Sequence, residues 1–202
     1  MSSPIRQFSY EFDRPAGWLM LPKVDILNDV GWISPLLDPF AFTPSARKRL
    51  EADLDRAAEL ARAQQMPDRR RWVFVPDSAN GAVEAVLNID IIHASGISQV
   101  ECLEGFRTAA DVPGVSVWER SFDLATLAGR PAVSGRQLLV TVLADGEQQV
   151  NEYYQPVVLT PRLGTILKAS ISTPDLALFS DILEYGNRLI DGIRFLRNEA
   201  AA

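Results

Sequence analysis

The sequence predicts an α+β fold in which an antiparallel sheet of about six to seven strands packs against helices, with a long C-terminal helix. Three observations predict it. Short apolar runs alternate with period two at residues 5–12, 83–93 and 115–122, as half-buried strands do. Turn residues separate such runs at Asn80-Gly81, Gly129-Arg130-Pro131 and Asp145-Gly146. Two other segments, 43–65 and 173–193, carry apolar residues at helical spacing behind a threonine and a proline.

Taken in order, residues 5–12 place Phe8, Tyr10 and Phe12 on one strand face, and residues 17–21 form a second strand ending at Pro22. Residues 24–42 hold Trp32, Leu36, Leu37, Phe40 and Phe42 with no clean period, which predicts an irregular, partly helical insertion reaching to about residue 66. Thr43 and Pro44 then open a helix that buries Leu50, Leu54, Ala57, Ala58 and Ala61 and turns Arg47, Glu51, Asp55 and Glu59 to water. Met66-Pro67-Asp68 stops it. Residues 71–75 and 83–93 read as a hairpin, the second strand burying Ala85, Leu87, Ile89 and Ile91. Residues 98–110 are compatible with helix or loop. A break at Val112-Pro113-Gly114 leads into a meander of three or four strands, with Val115, Val117 and Glu119 set against Trp118, Arg120 and Phe122.

Residues 148–196 organise the rest: a strand, the turn TPRLG, a second strand, and a helix expected from residue 173. Leu176, Phe179, Ile182, Leu183, Gly186, Leu189, Ile190 and Ile193 trace its buried face. No repeat and no Gly/Ser linker divides the 202 residues, so one domain is expected.

Hydrophobic residues at 47% and charged ones at 23% describe a folded chain that needs no staple. A net charge of −6 disfavours nucleic acid as a partner, because phosphate contacts need concentrated Lys and Arg. The one basic run, Arg69-Arg70-Arg71, reads as a solvated flank of a strand. No apolar run is long enough to span a bilayer, and the first residues carry no apolar leader core, so membrane insertion is not expected and the cytoplasm is. The single cysteine, Cys102, suits a reducing compartment.

The order strand, Gly129-Arg130-Pro131-Ala132-Val133, strand, hairpin, strand, Ser172-Thr173-Pro174 and terminal helix, with Tyr153 to Pro156 between, resembles the PsbP-like superfamily. That group includes the Ran-binding Mog-type proteins, the DcrB and LpqN lipoproteins and EagR-type effector chaperones. The resemblance covers residues 112–197 and implies an antiparallel sheet with packed helices and relatives that mostly bind other proteins.

Catalytic signatures are missing. The single histidine, His93, closes an apolar strand, and the acids Glu101 and Glu104 beside Cys102 would raise a thiol pKa rather than lower it. There is no P-loop, dinucleotide fingerprint or Cys/His metal cluster, so neither cofactor nor metal is expected. The leading expectation is a non-catalytic protein-binding adaptor or chaperone-like protein, secretion association being one form of it. Its partner surface is placed on Trp32, Leu36, Leu37, Phe40 and Phe42. The alternatives are a carrier of a small apolar ligand and an enzyme using His93. Self-pairing into a homodimer through strand edges is open to any of them.

Overall fold

The computed structural model describes residues 8–13, 15–23, 26–28, 31–64, 69–77, 79–94, 96–109, 115–142, 146–160 and 164–197. Ten strands lie among them: β1 (Phe8–Phe12), β2 (Trp18–Met20), β3 (Arg70–Phe74), β4 (Ala85–His93), β5 (Val115–Leu127), β6 (Arg130–Val142), β7 (Gln148–Tyr154), β8 (Val157–Thr160), β9 (Thr165–Thr173) and β10 (Ile193–Arg197). The helices are α1 (Ile33–Leu37), α2 (Pro44–Ala63), α3 (Gln99–Arg107) and α4 (Ile182–Asp191). Eight strands form one antiparallel sheet in the order β2-β3-β4-β9-β7-β6-β5, with β8 pairing both β6 and β9. β1 and β10 pair separately.

Eight strands exceed the expected six to seven because Pro156, which has no N–H to give, divides one run in two. The register does not break there. Tyr154 faces Arg136 and Val157 faces Val133, while Gln155 N donates to Gly135 O at 2.9 Å and Ala169 N donates to Pro156 O at 3.0 Å. The hairpin joining β5 and β6 turns on Ala128 and Gly129, both at positive φ (50° and 66°), as a two-residue loop of this hand requires. β5 slips register between Val117 and Glu119, so Val117 faces Leu139 and Glu119 faces Leu138. Val117 and Glu119 therefore lie on opposite faces, which corrects the simple alternation expected there.

The terminal helix is short. It begins at Ile182, where Asp181 accepts from Leu183 N and Glu184 N, and ends at Asp191 before β10. Residues 173–180 turn instead, because local side chains outbid the helix. Thr173 Oγ1 donates to Glu84 O at 2.8 Å and accepts from Asp175 N at 3.0 Å, and Asp175 Oδ1 accepts from Ala177 N at 2.9 Å. Residues 99–107 are helical, and a capping box at Ser98 explains it. Ser98 Oγ accepts from Glu101 N, and the Glu101 carboxylate accepts from Ser98 N. The expected breaks at 66–68 and 112–114, most of the TPRLG turn and Asp145 lie outside the described residues.

Both sheet faces are covered, unequally. On one face α4, β1 and β10 pack over Trp18, Trp72, Leu87, Tyr154, Leu167 and Ile171. Phe179 joins this core, stacked on Tyr185 at 4.4 Å, and Gly186 of α4 lies directly on the Tyr154 ring. On the other face α2 seats Leu50 and Leu54 on Leu19, Leu21 and Val73 at the β2–β3 end. α3 seats Leu103 on Phe122 and Val133 at the β5–β6 end. The middle of that second face lies between the two helices.

Candidate functional site

The residues expected to bind a partner sit around α1 and pack toward α2. Leu37 is fully buried beside Leu50 and Leu54, while Trp32, Leu36 and Phe42 are partly buried against the same core. Phe40, 38% exposed, is the most open of the five and meets Phe42 at a ring separation of 5.8 Å. The structure brings the five together, with Leu37 beneath the others. His93 is exposed at the end of β4, and its imidazole makes no hydrogen bond or ion pair among the described residues. Cys102 is half-buried on α3. Burial, not the neighbouring acids, pushes its thiol pKa up, and Lys168 opposes the shift.

Two features lie elsewhere. The first is β5, one edge of the sheet, thirteen residues long and paired among the described residues with β6 alone. At its register slip Trp118 is 65% exposed, and further along Leu124 is 52% exposed. The sequence contained the edge as an alternating run, but only pairing order shows that no other described strand lies on its outer side.

The second is the floor between α2 and α3, which the strand registers define. One row across the sheet runs Arg71, Asn88, Ser170; the next runs Arg69, Asp90, Lys168, Val157; a third runs Val86, Ser172, Tyr153, Gln137. Neighbours in a row stand about 5 Å apart. Arg69 forks onto Asp90, with Nε to Oδ1 at 2.9 Å and Nη2 to Oδ2 at 2.7 Å, and both side chains are 17% exposed. Arg71 is buried and donates to the neutral oxygens Asn88 Oδ1 and Gln64 Oε1, each at 2.7 Å. Burial pushes the Arg71 pKa down, Arg69 adds to that, and Asp90 opposes it. Arg70, on the other face, lies over the Tyr10 ring at 5.0 Å. Arg69 and Arg71 are thus built into the sheet rather than solvated, while Arg70 stays exposed, because their period-two alternation matches strand geometry.

Among the described residues no three His, Cys, Asp or Glu gather as metal ligands would. No family model and no curated protein sequence matches the chain. Solved structures do. The crystal structure of LpqN, involved in cell envelope biogenesis of Mycobacterium tuberculosis, aligns over 94% of this chain and 84% of its own at 13% identity and a TM-score of 0.39. The Saccharomyces cerevisiae Ran-binding protein Mog1p aligns over 91% and 84% at 10% identity and 0.38. A point mutant of protein Mog1 aligns over 64% and 80% at 11% identity and 0.37. TM-scores this low say nothing of what the chain binds.

Proposed function

We propose that this chain is a non-catalytic protein-binding adaptor or chaperone-like protein that takes an extended segment of another protein along the outer edge of β5. One observation supports this reading above others: a thirteen-residue edge strand whose outer side no other described strand pairs, with an exposed Trp118 at its bulge. Edge strands are normally kept short, charged or covered, and a long open edge invites strand addition. Backbone pairing would supply affinity, and apolar side chains of the guest would meet Trp118 and Leu124. Self-pairing is disfavoured in the register centred on Ser121, which would set Glu119 of one copy against Asp123 of the other on the same face.

Affinity capture should return one protein, and amide exchange across residues 115–127 should slow in the complex. Trp118→Ala with Leu124→Lys should abolish both without changing the melting temperature. Undiminished capture by that variant, or an edge that exchanges as fast in the complex as alone, would sink the proposal. A second reading keeps the partner on Trp32, Leu36, Phe40 and Phe42, favoured by the partly open Phe40–Phe42 pair. Trp32→Ala with Phe40→Ala tests it, and loss of capture there alone would move the site to α1. No described helix is long and apolar enough to cross a membrane. The adaptor is proposed to work in the cytoplasm.

A further inference from the structure

We infer that the recess between α2 and α3 binds a small oxyanion, a carboxylate or a phosphate, through Lys168, Arg71, Ser170 and Ser172. The site is separate from the β5 edge, since its floor is on β3, β4, β9 and β7.

Charge is the first reason. The whole chain carries −6, yet this floor gathers Arg69, Arg71 and Lys168 against Asp90 alone. Arg69 takes both oxygens of Asp90. Arg71 and Lys168 make no ion pair of their own among the described residues, and Arg71 is buried. Asp90 stands beside both, yet one carboxylate against three cations leaves a surplus of positive charge that an incoming anion would offset.

Polarity is the second. A sheet face flanked by helices is ordinarily apolar, as it is under α2 and under α3. Between them stand Asn88, Lys168, Ser170, Ser172 and Tyr153, all half-buried. The side chains of Lys168, Ser172 and Tyr153 have no hydrogen-bond partner among the described residues, and the Asn88 amide reaches Ser170 Oγ only at 3.5 Å. Burial pushes the Tyr153 pKa up, which keeps its hydroxyl a donor. Such donors suit a ligand that only accepts.

Dimensions are the third. From β4 across β9 to β7 the floor is about 10 Å wide, and successive rows lie about 7 Å apart along the strands. That spacing is of the order of a carboxylate or phosphate group. Cys102 of α3, which senses the Lys168 charge, marks the wall on that side.

Calorimetric titration of the full chain with citrate and, separately, with inorganic phosphate tests the site. At low ionic strength at least one should bind, and added salt should weaken it. Which of the two binds identifies the group recognised. Lys168→Met, at a half-buried position that need not disturb the sheet, should weaken binding at least about tenfold, the loss expected for a charge-assisted contact. Ser170→Ala should weaken it less while leaving the circular dichroism spectrum unchanged. Binding of neither anion at millimolar concentration, or equal affinity in Lys168→Met, would overturn the inference. Either failure would leave the β5 proposal standing, because that test reads a different surface.

Discussion

Replacing Gly186 by alanine sets two effects of opposite sign against each other. Glycine inside a helix costs roughly 1 kcal/mol relative to alanine, so propensity alone says the change stabilises α4. The structure says otherwise. A Cβ at Gly186 would fall 2.7 Å from Tyr154 Cγ and nearer still to two other ring carbons. Tyr154 is fully buried on the interior strand β7, and its hydroxyl donates to Asn187 Oδ1 at 2.7 Å, so both ends of the side chain are fixed. Overpacking costs about 1–3 kcal/mol, and a rigid ring met this closely belongs at the upper end. Subtracting the propensity gain leaves a net loss of about 2 kcal/mol. For a chain of this size that lowers the melting temperature by roughly 4–8 °C. Urea titration by near-ultraviolet circular dichroism should show an earlier midpoint with an unchanged slope. In a Tyr154→Ala background, where the ring is gone, the same change should be neutral or stabilising by up to about 1 kcal/mol. A Gly186→Ala protein as stable as wild type would refute the packing of α4 on β7.

Asp181→Ala removes the acceptor of Leu183 N at 2.8 Å and Glu184 N at 3.0 Å, and should cost about 1 kcal/mol by urea denaturation. No loss would put the start of α4 elsewhere. Glu152 titrates above its ordinary 4.5, chiefly because burial penalises its charge, with Arg136 opposing and Asp181 and Glu119 adding. A carboxyl raised on folding gives stability that is full below the unfolded value and lost as pH rises from about 4.5 through the folded one. Unfolding free energies measured across that window should decline in wild type relative to Glu152→Gln; parallel curves would show that the carboxyl is not buried. The Cys102 thiol should alkylate more slowly in the folded protein than in the unfolded chain at mildly alkaline pH, and more slowly again in Lys168→Met, since Lys168 holds its pKa down. Identical rates in both folded proteins would separate Cys102 from the recess.

Much of the sheet was legible because burial on strands writes itself as alternation. β4 shows it plainly, Ala85, Leu87 and Ile89 buried and Val86, Asn88 and Asp90 less so. The final helix misled because Leu176 and Phe179 fall in phase with Ile182 and Leu183, and phase cannot tell a helical turn from a stretch held by Thr173 and Asp175. The β5 bulge was hidden for a related reason, since one inserted residue leaves composition untouched while exchanging faces. The recess is the clearest case of a site invisible in one dimension. Arg71, Asn88, Lys168 and Ser170 come from three strands, and β9 lies beside β4 only through a long-range pairing. The one local clue was polar residues at alternate positions in β9, which alone reads as a solvent face. Segment 24–42 reads in sequence as an irregular, partly helical insertion, and the structure shows why Trp32, Leu36 and Phe42 are less open than their number suggests: α2 supplies the core that Leu37 enters.

The pairing of β1 with β10 sets the order in which the molecule can be completed. Phe8 lies opposite Arg197, a separation of 189 residues by subtraction (197 − 8). Closing so long a loop costs entropy that no local contact offsets, so this ribbon should form after the β3–β4 and β5–β6 hairpins. During synthesis β1 has no strand to pair with until Ile193–Arg197 is available, and Tyr10 and Phe12 must wait uncovered. The ribbon is accordingly the last part of the fold to assemble and the first expected to fray, so the kinetic lifetime of the native state should depend more on β10 than its five residues suggest.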